Sequence, residues 1–471
     1  MRRLVRALTA LAIVLLFAIL ISGTNLRAAA EAIKVAMSSH ERVVRPRLTM
    51  PPNSAVLVTG GAGFVGYHLC LRLHRDGVRV VALDNFDPYY STALKRARQA
   101  RLEAAGIELI EADMCDEERL SELIEQEPGF THVASMAAQA GVRYSLRRPQ
   151  AYARANVQCF LSLLEVLRRK PSVRLVYASS SSVYGSNTKI PFAEADRTDS
   201  PNSLYAATKK ANEQLAHVYH GLYGLRVTGL RFFTVYGPWG RPDMAYFSFI
   251  HRMATGRSIE VYGNGRPQRD FTYVDDVVDG IVGALALGAE EEVFNLGNHR
   301  TETLGRFISV LERELGVVAN KTYVGMAPGD VIQTYADVEH AAQRIGCAHH
   351  AHAHAHAHLR PPNRGTPPSC PMRSYSPHIT IDEGLRRFVK WYRSDQFKAE
   401  YAEVGEWTKP APTRGRVAGA KPAGSSGGVG GSDGHSGGMA FAGAVADHAA
   451  DQTADTNVGG AGDALGRGGT G

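Results

Sequence analysis

Residues 55–66 read Ala-Val-Leu-Val-Thr-Gly-Gly-Ala-Gly-Phe-Val-Gly, and the organisation of the chain follows from them. Ala55 to Thr59 is an unbroken apolar run with β-branched residues, the pattern of a strand buried on both faces. Glycines fall at Gly60, Gly63 and Gly66, and an amphipathic stretch continues from Tyr67 to Arg75. A loop of this kind, between a buried strand and a helix, offers backbone N–H groups to an anion and keeps side chains out of its way. Gly60, Gly63, Phe64, Val65 and Gly66 are therefore candidate contacts for a pyrophosphate.

Moving outward, a second strand, Val78 to Leu83, ends in Asp84-Asn85. A carboxylate about twenty residues beyond a glycine loop can accept from both hydroxyls of an adenosine ribose, and it repels a 2′-phosphate. Asp84, with Asn85 beside it, favours NAD over NADP, and Arg96 and Arg98 pull slightly the other way. The strand Ile107 to Glu111 leads to Asp113, placed to accept from an adenine amino group. After His132-Val133-Ala134 come Ala137-Ala138-Gln139-Ala140-Gly141, where small residues let the backbone pass close to a cofactor. Strand, glycine loop, helix, strand and acid in this order predict an α/β fold. The expected architecture is a Rossmann-type doubly wound parallel sheet with a smaller C-terminal substrate-binding lobe, and the expected cofactor is NAD.

Another buried strand, Val173 to Ala178, delivers Ser179, Ser180, Ser181 and Ser182 to its C-terminal edge, the edge where open α/β sheets bind ligands. Tyr205 and Lys209 follow in Tyr-Ala-Ala-Thr-Lys, which opens a helical stretch to Tyr219. Residues four apart share a helix face, so both side chains can address one substrate atom. A free tyrosine ionises near pH 10, and a neighbouring ammonium favours its phenolate. Tyr205 as base and Lys209 as its electrostatic partner are thus the expected means of deprotonating an alcohol whose hydride passes to nicotinamide.

At this point the sequence resembles the extended short-chain dehydrogenase/reductase family and, within it, the UDP-glucuronate 4-epimerases. The carrying segments are TGGAGFVG (59–66), LDNFDPYY (83–90), AAQAGVRYS (137–145), ASSSSVYG (178–185), YAATKKANE (205–213), RFFTVYGPWGRPDMA (231–245) and GRPQRDFTYVDD (265–276). The resemblance implies an NAD-dependent isomerase that interconverts UDP-glucuronate and UDP-galacturonate through a 4-keto sugar. It implies Tyr205, Lys209 and Ser180 as catalytic, with Tyr205 and Lys209 also meeting the nicotinamide ribose. Ser181, Ser182 and Thr234 are implied around the C6 carboxylate, Arg241 and Arg269 on the uridine diphosphate, and Asn156 and Asp330 as further contacts. Arg143 stands in one of the carrying segments and equally suits a helix surface. Related dehydratases and decarboxylases carry an acid just before Val-Tyr-Gly, where this chain has Ser182. A UDP-glucose/UDP-galactose 4-epimerase, or an impaired NAD-binding relative, is the alternative. The resemblance also suggests a homodimer through the helices around 150–170 and 205–220.

The motifs occupy only part of the 471 residues, so the ends read differently. Arg2, Arg3 and Arg6 precede an uncharged run from Ala7 to Gly23 that reads as a signal anchor, with a cleaved targeting peptide as the alternative. That makes a membrane-anchored, Golgi-located protein the expectation, with residues 1–53 as anchor and stem. Residues 54–230 form mainly the NAD-binding domain, and 231–345 with 378–405 mainly the interleaved sugar-nucleotide lobe. Between them, 346–377 reads as a His/Pro-rich low-complexity insertion whose alternating His and Ala form no recognisable metal frame. Residues 406–471, rich in Gly and Ala, read as a disordered tail. The net charge of +7 is scattered rather than blocked, which argues against nucleic acid as a partner. Cys70, Cys115, Cys159, Cys347 and Cys370 are widely spaced and odd in number, so free thiols are expected, with no metal or disulfide role.

Overall fold

The computed structural model describes residues 49–125, 129–326, 331–345, 375–395 and 397. Strand β1, Ala55–Thr59, is buried at every position. Its side chains alternate between two cores, as a strand's period of two requires. Val56 and Val58 face one of them, and Ala55 and Leu57 face the other. This explains why its sequence is apolar throughout rather than alternating.

β1 lies inside a seven-stranded sheet. Its companions are β2 (Arg79–Asp84), β3 (Glu108–Glu111), β4 (His132–Ser135), β5 (Arg174–Ser180), β6 (Val227–Phe232) and β7 (Glu291–Leu296). The order is β7-β6-β5-β4-β1-β2-β3, and every neighbouring pair is parallel. On the face of Val56 and Val58 lie α1 (Phe64–Arg75), which contributes Leu69 and Leu73, α2 (Thr92–Ala104), which contributes Leu94 and Leu102, and the later helix Val274–Leu287. On the opposite face lie α3 (Glu117–Glu125), α4 (Cys159–Leu167) and α5 (Leu204–Tyr223), which pack Leu123, Leu163 and Ala216 against Leu57 and Leu175. The doubly wound sheet is as expected. β7 joins β6 after a long excursion, so residues beyond 231 return to the main sheet.

Among the described residues, three two-stranded sheets carry the later chain, including Gln268–Arg269 with Glu302–Thr303 and Ile259–Tyr262 with Lys321–Val324. The helix Ile381–Tyr392 packs Phe388 and Trp391 against Phe247. After residue 345 the described residues resume at Tyr375. Tyr375 is already buried, and its phenol donates to the Gly297 carbonyl at 2.9 Å. The rest of the His/Pro-rich stretch, the anchor reading at Ala7 to Gly23 and the tail lie outside the described residues. Among the described residues no helix is long and apolar enough to cross a membrane.

The cysteine expectation needs correcting. Cys115 and Cys159 are joined in a disulfide, while Cys70 is a buried free thiol. The two partners are 44 residues apart in sequence, but the fold brings the segment after β3 against the start of α4. Such contact between distant segments leaves no spacing signal. A closed loop of this length restricts the unfolded chain and contributes roughly 2–4 kcal/mol. Reduction by an added dithiol should therefore move the urea midpoint down, and an unchanged midpoint would show that the bridge contributes nothing.

Candidate active site

The glycine loop connects β1 to α1. Gly60 adopts a positive φ of 72°, and a Cβ there would lie 2.7 Å from the Ala137 backbone nitrogen. A Cβ on Gly66 would lie 2.1 Å from the Gly60 carbonyl oxygen. Only hydrogen fits at either position, so the loop folds tightly and its surface is bare backbone. Gly63 caps α1 without a side-chain hydrogen bond, and the first turn of the helix holds no acidic residue. The positive end of α1 is therefore not neutralised by its own side chains, which suits a pyrophosphate.

A cavity of about 400 Å³ opens over this loop. Its walls include Gly60, Gly63, Phe64, Val65, Gly66, Asp84, Asn85, Asp113, Ala137 and Ala138, all of the residues expected to hold the dinucleotide. Tyr205, Lys209, Ser180 and Arg241 line the same cavity. Asp84 is buried at the end of β2, where it accepts from the backbone N–H of Ala62 at 3.1 Å and of Phe86 at 2.8 Å. Asp113 accepts from Cys115 N–H at 2.9 Å and from Arg154 at 3.0 Å. Burial pushes the Asp113 carboxyl up, but these donors together hold it below its ordinary range.

Cations near Asp84 are arranged differently from the expectation. Arg96 is exposed, pairs with Glu111 at 2.8 Å and stacks on Phe86. Arg98 is fully buried, donating to the Ala62 carbonyl, the Tyr90 hydroxyl and the carbonyls of Trp239 and Gly240. Neither lines the cavity. Lys95 does, with its Nζ 3.4 Å from Asp84 Oδ1. The periodicity of α2 carried this signal, because Leu94, Lys95, Arg98 and Leu102 share its buried face.

The chemical residues meet at the far end of the cavity. Ser203 caps α5, its hydroxyl accepting from Ala206 N–H, and so fixes the turn that carries Tyr205. Lys209 follows one turn later, buried, with its Nζ donating to the Ala178 carbonyl of β5 at 2.8 Å. Ser180, the last residue of β5, lines the cavity with Tyr205, and its hydroxyl favours the ionised phenol. Its Oγ in turn accepts from Ser182 N–H at 3.1 Å. Behind them Glu213 ties the two elements together, accepting from Ser179 at 2.7 Å and from Arg231 at 2.8 Å.

Burial lowers Lys209 to about 7. It also raises the Tyr205 phenol, against which the Ser180 hydrogen bond and the Arg241 charge act. Burial of the phenol thus opposes the depression expected from a neighbouring lysine. Desolvation disfavours the charged form of both groups.

Other expected contacts lie elsewhere. Ser181 and Ser182 occupy a short 3-10 turn, Ser181–Tyr184, just past the cavity wall, and Thr234 lies between the lining residues Phe233 and Val235. Arg269 donates to the backbone carbonyls of Gln268 and Ile332 and does not line the cavity. Asp330 lies outside the described residues. Asn156 is buried and clamps the Gln139 backbone, accepting from its N–H and donating to its carbonyl. Arg143 stacks on Tyr262 at 4.3 Å, away from the cavity.

The pattern of the NAD dependent epimerase/dehydratase family matches residues 56–297. The chain belongs to this family. Among epimerase/dehydratase family members it is similar to UDP-glucuronate 4-epimerase 2 of Arabidopsis thaliana, 45% identical over 356 residues, covering 72% of this chain and 75% of that protein. An uncharacterized protein of Methanocaldococcus jannaschii is 43% identical over 72% of this chain and 95% of its own length. Of solved structures, it is similar to a UDP-glucuronic acid 4-epimerase from Bacillus cereus in complex with UDP-glucuronic acid and NAD. That similarity has a TM-score of 0.62 and 31% identity, and covers 72% of this chain and 98% of that one. The UDP-glucose 4-epimerase of Thermotoga maritima gives a TM-score of 0.61 at 28% identity, again over 72% and 98%.

Proposed function

We propose that the protein is an NAD-dependent 4-epimerase interconverting UDP-glucuronate and UDP-galacturonate. The observation that carries this reading is that Tyr205, Lys209 and Ser180 share one cavity with the glycine loop and Asp84. The loop and the start of α1 would hold the pyrophosphate, Asp84 the adenosine ribose, Asp113 the adenine, and Lys209 the nicotinamide ribose, to which the Tyr205 phenol adds only a minor contact. NAD bound there supplies a reversible hydride acceptor for the sugar's C4. Tyr205 removes the C4 hydroxyl proton, with Ser180 bridging the sugar hydroxyl and the phenol. Lys209, once protonated, stabilises the phenolate. When the reaction reverses, the phenol returns its proton to the C4 oxygen. Arg241 grips the diphosphate, a task suited to a guanidinium fork, and we assign Arg269 a supporting part. The hydroxyls of Ser181, Ser182 and Thr234 are assigned to the C6 carboxylate.

Support for the uronate comes from the 45% identity to a UDP-glucuronate 4-epimerase, and among solved structures the UDP-glucuronic acid 4-epimerase gives 31% identity where the UDP-glucose 4-epimerase gives 28%. The test is a substrate panel: purified protein should convert UDP-glucuronate to UDP-galacturonate with a kcat/KM well above that for UDP-glucose. Equal or reversed preference would replace the uronate with a neutral sugar. We also infer that a second copy of the chain covers an apolar strip on α4 and α5, where Leu161, Val218 and Leu222 are exposed. Sedimentation velocity should give the mass of a dimer, and a monomer at micromolar concentration would refute this.

A further inference from the structure

In the sheet, β1 lies between β2 and β4. The glycine loop therefore emerges between the segments that leave those two strands. A side chain that reached from one segment to the other would pass over the loop and over whatever lies on its N–H groups. Tyr89 makes this crossing. It leaves from the β2 side, and its hydroxyl lies 2.5 Å from the point that a Cβ on Gly141, beyond β4, would occupy. Its ring lies 4.6 Å from that of Tyr144. Gly141 is held at φ 104°, so a side chain there would be strained as well as blocked.

The far end of the crossing is anchored from a third segment. The Tyr89 hydroxyl donates to Asp243 Oδ2 at 2.9 Å, and Asp243 is itself held by Arg241, whose Nε donates to Oδ1 at 3.0 Å. Tyr89 and Arg241 line the same cavity as the glycine loop. Neither Tyr89 nor Asp243 has a part in the proton chemistry assigned to Tyr205 and Ser180.

We propose that Tyr89, tethered by Asp243, is a strap that closes over the pyrophosphate and retains the dinucleotide between turnovers. This rests on the NAD reading of the cavity. A strap suits an enzyme whose cofactor ends each cycle as it began, because release is never needed and escape in mid-cycle would strand an oxidised sugar.

The test follows release of radiolabelled NAD from preloaded protein after a chase with excess unlabelled NAD, comparing wild type with Tyr89→Phe and Asp243→Asn. Both variants should release the label about tenfold faster, a loss in keeping with one charge-assisted hydrogen bond. Circular dichroism checks that each is folded. A wild-type release rate in folded Tyr89→Phe overturns the strap, and should that variant fail to fold, Asp243→Asn decides by the same criterion. Wild type that carries no NAD as purified and takes up no label would instead remove the NAD reading, and the strap with it.

Discussion

Tyr205→Phe should lower kcat by about 10³-fold while leaving NAD binding nearly unchanged. The substitution removes one oxygen. It keeps the ring, which packs edge-on against Tyr152 at 6.1 Å, and it leaves the Ser203 cap and the Lys209 contact in place. What disappears is the group that takes the C4 hydroxyl proton, whose ionised form the Ser180 hydroxyl favours. Binding of NAD, followed by quenching of protein fluorescence, separates this outcome from a general loss of structure. If turnover survives within tenfold, the base lies elsewhere in the cavity. If NAD binding collapses with turnover, the phenol is part of the cofactor's seat rather than the proton acceptor.

The second large effect is expected at Lys209. Lys209→Met keeps most of the buried stem but deletes the amine that bonds the Ala178 carbonyl and faces the cavity. We expect kcat to fall by about 10²-fold or more, because the phenolate loses its stabilising cation. NAD affinity should also fall, since the same amine is assigned to the nicotinamide ribose. That pairing of effects distinguishes the two variants: Tyr205→Phe loses turnover alone, whereas Lys209→Met loses turnover and affinity together. An affinity equal to wild type in Lys209→Met would remove the ribose contact from the account. Titration calorimetry of NAD onto both variants reads the difference directly.

The sheet and the cofactor side of the cavity were legible because local rules write them. β1 is apolar throughout since both its faces are buried, and the glycines at 60 and 66 stand where a Cβ would meet backbone. Tyr205 and Lys209 were legible because helical spacing alone puts them on one face. What escaped depends on contacts between distant segments. The Cys115–Cys159 bridge, the crossing of Tyr89 to Gly141 and the clamp of Asn156 on Gln139 each join parts of the chain with no shared period. Lys95 is the exception, since the pattern of α2 marks it: it shares the buried face with Leu94, Arg98 and Leu102, whereas Arg96 pairs with Glu111 outside and Arg98 is locked in the core. The hydroxyls assigned to the carboxylate came from resemblance rather than from any local rule, and the cavity wall passes just short of them.

The most direct measurement uses UDP-glucuronate carrying deuterium at C4, incubated with the purified protein and followed by proton NMR. Inversion through oxidation and return at that carbon predicts UDP-galacturonate with the label still at C4 and no hydrogen taken from water. Product that has exchanged its C4 label for solvent hydrogen would contradict the account, as would an NAD-loaded protein that leaves the sugar untouched.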